Sequence, residues 1–229
     1  MRRYDFKFND VSAWEMGVAV ARRVSIPTPE KRGEFVQVAG RDGSLFVSDG
    51  TYEDIAFPIE MNFVRRRDLL MQSYRKIKNW LNGSGTIVFS NDSEVFYKVK
   101  SLTLSDFGIR GKQGADVVAN VVADPFSYYR SGVYEYNLEE VLLNPYHECC
   151  PIYKVQGTGD FVLTVNGKSF VGRNGSMTID TDKMISYNSQ MQRAKVSGDY
   201  EDIRLKSGEN EIHITSGFTV KVVPNWRSL

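Results

Sequence analysis

The chain has 229 residues, of which 41% are hydrophobic and 25% charged, which suits a globular protein and excludes a disordered one. Area scaling for 26.0 kDa gives roughly 38,000 Å² of surface unfolded and 10,500 Å² folded, so a core can form without disulfide or metal staples. Lysine and arginine total 29 against 28 acids, a net charge of +1 that argues against a dedicated nucleic-acid binder, and no apolar run reaches the length of a membrane helix.

The start, Met1-Arg2-Arg3-Tyr4-Asp5-Phe6, is basic but turns polar and aromatic where a signal peptide needs an apolar run, so export by that route is not expected. Phe35-Val36-Gln37-Val38 and Leu45-Phe46-Val47 read as strands around the turn Gly40-Arg41-Asp42-Gly43, whose glycines suit positive φ. From Arg65 to Leu81 there is no glycine or proline, and Leu70, Tyr74, Ile77 and Leu81 recur at helical spacing. This predicts one amphipathic helix, with Arg66, Arg67, Arg75, Lys76 and Lys78 mostly off the apolar stripe and Asn82-Gly83 as its stop. Strands are expected at Thr86–Phe89, Val95–Leu104 and Val117–Ala123. The block closes at Ala123-Asp124-Pro125-Phe126, which sets a boundary near residue 130: a first domain over 1–130 and a second over 131–229.

The second part begins irregularly and contains the adjacent Cys149 and Cys150, read as two reduced, partly buried thiols because a bridge between neighbours is strained. Strands resume at Ile152. Phe161–Val165 and Lys168–Val171 flank Asn166-Gly167, the strongest short hairpin signal. Asn174-Gly175 precedes a strand at Met177–Asp180, and further strands are expected at Ile203–Leu205, Glu211–Thr215 and Phe218–Val223. Short antiparallel strands at this spacing predict a β-sandwich.

Catalytic and metal motifs fail on named residues. A phosphate loop ending at Gly167-Lys168-Ser169 would need a glycine where Val162 stands. A calcium loop from Asp42 to Glu53 has Phe46 and Val47 at its interior ligand and glycine positions. His147, Cys149 and Cys150 crowd into four residues, unlike structural zinc spacing. Only His147 and His213 are available to a nucleophilic triad, and His213 in Glu211-Ile212-His213-Ile214-Thr215 is expected to face solvent. Asp180 and Asp182 read as turn acids and not as a glycosidase pair. The expectation is a structural or binding protein with no enzyme activity, no cofactor and no metal.

Several segments, taken in order, resemble the distal tail protein of siphophages. They are Phe6-Lys7-Phe8-Asn9, Ile26-Pro27-Thr28-Pro29-Glu30, Val38-Ala39-Gly40-Arg41-Asp42-Gly43, Thr51-Tyr52-Glu53-Asp54, the helix ending in Trp80-Leu81, and Ala123-Asp124-Pro125-Phe126. Pro151 through Gly159, Ile179-Asp180-Thr181-Asp182, Gly208-Glu209-Asn210-Glu211-Ile212 and the closing Val223-Pro224-Asn225-Trp226-Arg227 continue the likeness. Ala39, where that family usually has proline, and His147-Glu148-Cys149-Cys150 depart from it.

The resemblance implies a mainly β fold: an N-terminal β-sheet domain carrying a single helix, and a C-terminal galectin-like antiparallel β-sandwich. It implies a structural virion protein of the tail tip, assembled in the bacterial host cytoplasm. Such proteins form a homo-hexameric ring, single or paired back to back, that joins the tail tube to the tail-associated lysin or fibre protein and to receptor-binding or baseplate proteins. DNA passes through the bore with no sequence-specific binding, and the membrane is not entered. Two readings of the Gly40, Arg41, Asp42, Gly43 segment stand: a ring interface, or an intradomain hairpin with Arg41 at a solvated tip. Pro224, Trp226 and Arg227 are expected either to return (about 222–229) and dock on the first domain, or to end the second sandwich. A lumen that is neutral or acidic is expected, since a basic bore would hold phosphates. The alternative function is a carbohydrate-binding, lectin-like module at the host cell wall, for which His147, His213 and Trp226 are the available residues.

Overall fold

A computed structural model describes residues 4–105, 107–110 and 113–229. It is mainly β with a single α-helix among the described residues, and it divides into two compact units, one reaching Ser127 and including Leu229, the other Tyr128–Ser228.

The first unit holds β1 (Phe6–Phe8), β2 (Val11–Ser12), β3 (Ala19–Val20), β4 (Lys31–Gln37), β5 (Ser44–Tyr52), β6 (Ile55–Val64), α1 (Leu70–Trp80), β7 (Gly85–Phe89), β8 (Asp92–Leu104), β9 (Gly108–Arg110) and β10, which starts at Gly114 and runs to Tyr129. Its main sheet has the order β2-β1-β7-β8-β10-β6-β3, with β9 on β10. Strand β6 shows how its pattern builds the core. Ile55, Phe57, Ile59, Met61 and Phe63 fall on one face at period two and all are buried. In the antiparallel register with β10, Ile55, Ile59 and Phe63 lie opposite Ala123, Ala119 and Ala115, so large side chains meet small ones. Pro58 is tolerated because β3 pairs only with Met61 and Asn62, which leaves that half of β6 at a sheet edge.

The helix forms as the apolar spacing predicts, entered through a 3-10 turn at Arg67–Leu69. Leu70, Ile77 and Leu81 are buried against the sheet core, with Tyr74 packed beside them. Trp80 stacks on Phe6 at 5.6 Å and donates its indole N–H to the Phe8 carbonyl at 3.2 Å. Gly83, two residues past Leu81, takes φ +83°, the left-handed conformation that stops a helix without a Cβ clash.

The second unit continues with β11 (Tyr136–Asn137), β12 (Val141–Asn144), β13 (Ile152–Gln156), β14 (Phe161–Val165), β15 (Lys168–Gly172), β16 (Met177–Asp180), β17 (Ile185–Tyr187), β18 (Val196–Ser197), β19 (Gly208–Ile214), β20 (Thr219–Val223) and β21 (Arg227–Ser228). Two five-stranded sheets, β11-β20-β13-β16-β17 and β12-β19-β14-β15-β18, enclose a core that includes Tyr153, Phe161, Leu163, Phe170, Ile179 and Ile212. The β14–β15 hairpin turns at Asn166 (φ +50°) and Gly167 (φ +78°), the pair of positive φ values that Asn-Gly adopts most readily.

One expected strand is absent. Ile203–Leu205 lies in a turn and makes only an isolated bridge from Leu205 to Cys149. Both apolar side chains are fully buried, and the Ile203 carbonyl accepts the Tyr153 hydroxyl at 2.8 Å. The spacing reflected burial rather than a ladder: the loop plugs the sandwich, and a core side chain satisfies its backbone.

Candidate assembly surface

Strands β4 and β5 form a two-stranded sheet of their own. Their base is tied to the rest of the unit. Tyr52 packs edge-on against Phe126 at 5.6 Å, and the Glu53 amide donates to the Glu30 carbonyl at 2.8 Å. Arg32 donates Nε and Nη2 to the two carboxylate oxygens of Glu53 at 2.8 and 3.3 Å, and this contact holds the Glu53 carboxyl below its usual range. The ladder then runs from Gly33 opposite Ser48 to Gln37 opposite Ser44. Gly33 is required by space: a Cβ there would lie 2.4 Å from the Val47 carbonyl and 2.7 Å from the Phe46 ring. At the far end Gly40 and Gly43 take φ +81° and +76°, with the Arg41 amide donating to the Val38 carbonyl at 3.2 Å.

Beyond its base this hairpin is uncovered on both faces. Phe35 and Phe46 are cross-strand partners with ring centroids 5.0 Å apart, and Phe35 remains 74% exposed. The opposite face carries Val36, Leu45 and Val47, all exposed, with Glu34 directly across from Val47. A strand with one buried face should alternate apolar and polar; here apolar residues stand on both faces, and among the described residues none buries either. An isolated hairpin is marginal in water, and clustered exposed apolar side chains mark an interaction site.

The other sequence-derived residues fall elsewhere. Trp226 is buried in the second unit's core, where its carbonyl accepts the Tyr129 amide at 2.9 Å and its ring lies 6.3 Å from that of Tyr146. Gly132 sits against it so closely that a Cβ would meet the Trp226 amide nitrogen at 2.3 Å. Asn225 donates to the Cys150 carbonyl at 2.8 Å, and Arg227 to the Glu148 carbonyl at 2.6 Å; Pro224 is next in the same buried run. A buried Trp226 offers no face on which a sugar could stack, and His213 points outward from β19. His147 instead bridges Arg227 backbone to backbone. Cys149 and Cys150 are free and buried, and burial pushes both thiols above their ordinary range, which makes them poor nucleophiles. Asp180 accepts the amides of Asp182 and Lys183 at 3.1 and 3.0 Å, the role of a turn acid. Among the described residues no group of three histidine, cysteine or acidic side chains is arranged to hold a metal.

Sequence reasoning found the two apolar strands and their turn. It missed Gly33 and the Tyr52–Phe126 anchor, since neither has a local signal: each is defined by a neighbour that only the fold supplies.

The fold defines a class: an antiparallel sheet with one packed helix, followed by a β-sandwich. The crystal structure of the SPP1 Dit protein, a paradigm of the hub adsorption apparatus in phages infecting Gram-positive bacteria, has this fold: the two match with a TM-score of 0.66 over 99% of each chain, at 14% identity. No protein-family profile and no curated protein sequence matches the chain.

Proposed function

We propose that this chain is a structural component of a siphophage tail tip, assembling side by side into a hexameric ring through its β4–β5 hairpin. The observation that carries the reading is the likeness to SPP1 Dit over 99% of both chains, which takes in both units and not one common domain. The uncovered hairpin supports it physically. A closed ring requires each copy to present one surface to a different surface on the next. A hairpin with apolar residues on both faces suits the first role, and burying Phe35 alone is worth about 1.5–3 kcal/mol of transfer free energy. The second unit is read as a galectin-like sandwich that braces the ring. The partners are the tail tube protein on one side and the tail-associated lysin or fibre protein, with receptor-binding proteins, on the other. DNA passes through a bore that is neutral or acidic. The role needs no catalysis.

Negative-stain microscopy of the purified chain tests this reading. Six-fold rings are the expected result. Monomers at every concentration, alone and with tail proteins present, overturn it.

A further inference from the structure

The hairpin needs an acceptor, and a second surface of the first unit mirrors it chemically. Beside the two-residue edge strand β3 lies an open groove of about 330 Å³ lined by Trp14, Val18, Phe63, Val64 and Arg65. Trp14 is 62% and Val64 63% exposed, so both large side chains stand at its rim. Arg65 lies across Gly17, where a Cβ would come within 1.6 Å of its Nη2, and its Nη1 donates to the Val64 carbonyl at 2.8 Å. Arg66 and Arg67 follow at once. From Arg65 to Leu81 there are six basic residues and one acid, Asp68, in a chain whose net charge is only +1.

The Val36–Leu45–Val47 face of the hairpin is the complement. It presents three apolar side chains beside one carboxylate, Glu34. From Gly33 to Gly50 the arm carries three acids, Glu34, Asp42 and Asp49, against the single base Arg41. Between Gly33 and Gln37 the Phe35–Phe46 face has no charged residue in the paired register, and it matches the groove less well. An apolar stripe beside a carboxylate thus meets an apolar groove beside a guanidinium. Edge strand β3 adds a short, partly paired border, the kind of sheet edge that a second chain can cover.

We propose that the occupant of the Trp14–Val64 groove is the β4–β5 hairpin of a second copy of this chain, seated by its Val36–Leu45–Val47 face with Glu34 against the Arg65–Arg67 cluster. This rests on the ring reading and names the two surfaces that meet. The contact is heterologous, so every copy gives one hairpin and receives one.

Two single-cysteine chains test it, Val36→Cys and Val64→Cys, each mixed at assembling concentration with a short bismaleimide. Buried Cys149 and Cys150 give little background. The mixture should yield a covalent dimer and each chain alone should not, while Val64→Asp and Glu34→Arg should each weaken self-association at least tenfold without changing the circular dichroism spectrum. Self-association that persists with no cross-link in the mixture, and with both charge variants unaffected, overturns the groove and leaves the ring reading standing. A wild-type chain that never self-associates overturns both.

Discussion

Two antiparallel strand pairs in the first unit are built from similar residues and end in opposite environments. The β6–β10 pair has Phe57, Ile59 and Met61 at 3% exposure or less, whereas β4–β5 has Phe35, Val36, Leu45 and Phe46 all exposed. Backbone pairing is unbroken across β6–β10 and, beyond an irregularity between Lys31 and Gly33, also from Gly33 to Gln37 in the hairpin. The difference lies in the next layer: α1 and the neighbouring strands cover the buried face of β6, and among the described residues none covers the hairpin. Strand formation and strand burial are separate outcomes, and apolar residues that are paired but uncovered mark a candidate interaction surface.

The sharpest way to break that contrast uses the same substitution on each side. Phe57→Ala should destabilise the first unit by about 3–5 kcal/mol in urea, because it opens a cavity in a packed core. Phe35→Ala should change the stability of the isolated chain by no more than about 0.5 kcal/mol, since its ring is already in water. A large loss at Phe35 in the monomer would erase the distinction. In the second unit, Trp226→Ala should cost about 3–5 kcal/mol of that unit's stability, read from its own transition by near-ultraviolet circular dichroism. A silent variant there would show that the Tyr129 and Tyr146 contacts carry little.

A pH series sharpens the comparison further. Burial raises the Tyr153 hydroxyl and the Cys149 and Cys150 thiols above the ordinary values of 10.0 and 9.0 at which they ionise in the unfolded chain. Below pH 9 both states hold these protons. Above it the unfolded chain releases protons that the folded chain retains, so stability falls as pH rises. Denaturation midpoints of the second unit should therefore decline from pH 9 to 10.5, and Tyr153→Phe should flatten the upper part of that decline. A small effect is also expected at the hairpin base: Arg32→Ala removes an exposed pair with Glu53 and should cost no more than about 1 kcal/mol.

Local chemistry carried much of the fold into view. The Leu70–Tyr74–Ile77–Leu81 spacing located the helix, and Asn166-Gly167 located its hairpin, because both signals act within a few residues. Strand β10 runs on to Tyr129, beyond the expected end at Ala123, since the alternation of Phe126 and Tyr128 is interrupted by Pro125 and reads as a closure. Ile203–Leu205 misled for the opposite reason: its apolar pair is buried as a loop. The candidate surface was half legible. Its apolar strands and glycine turn stand in the sequence, but whether another element covers them depends on distant residues. The Trp14 groove gave no signal, because it exists only where Gly17, Val64 and Arg65 converge.

The hairpin is proposed as the element through which copies of this chain assemble. Mass photometry of the wild-type chain beside a variant in which residues 33–50 are replaced by a short glycine-serine link tests it most directly. Hexamers from the first, and folded monomers from the second, are the predicted pair of results. Hexamers from both, or monomers from both, would contradict it.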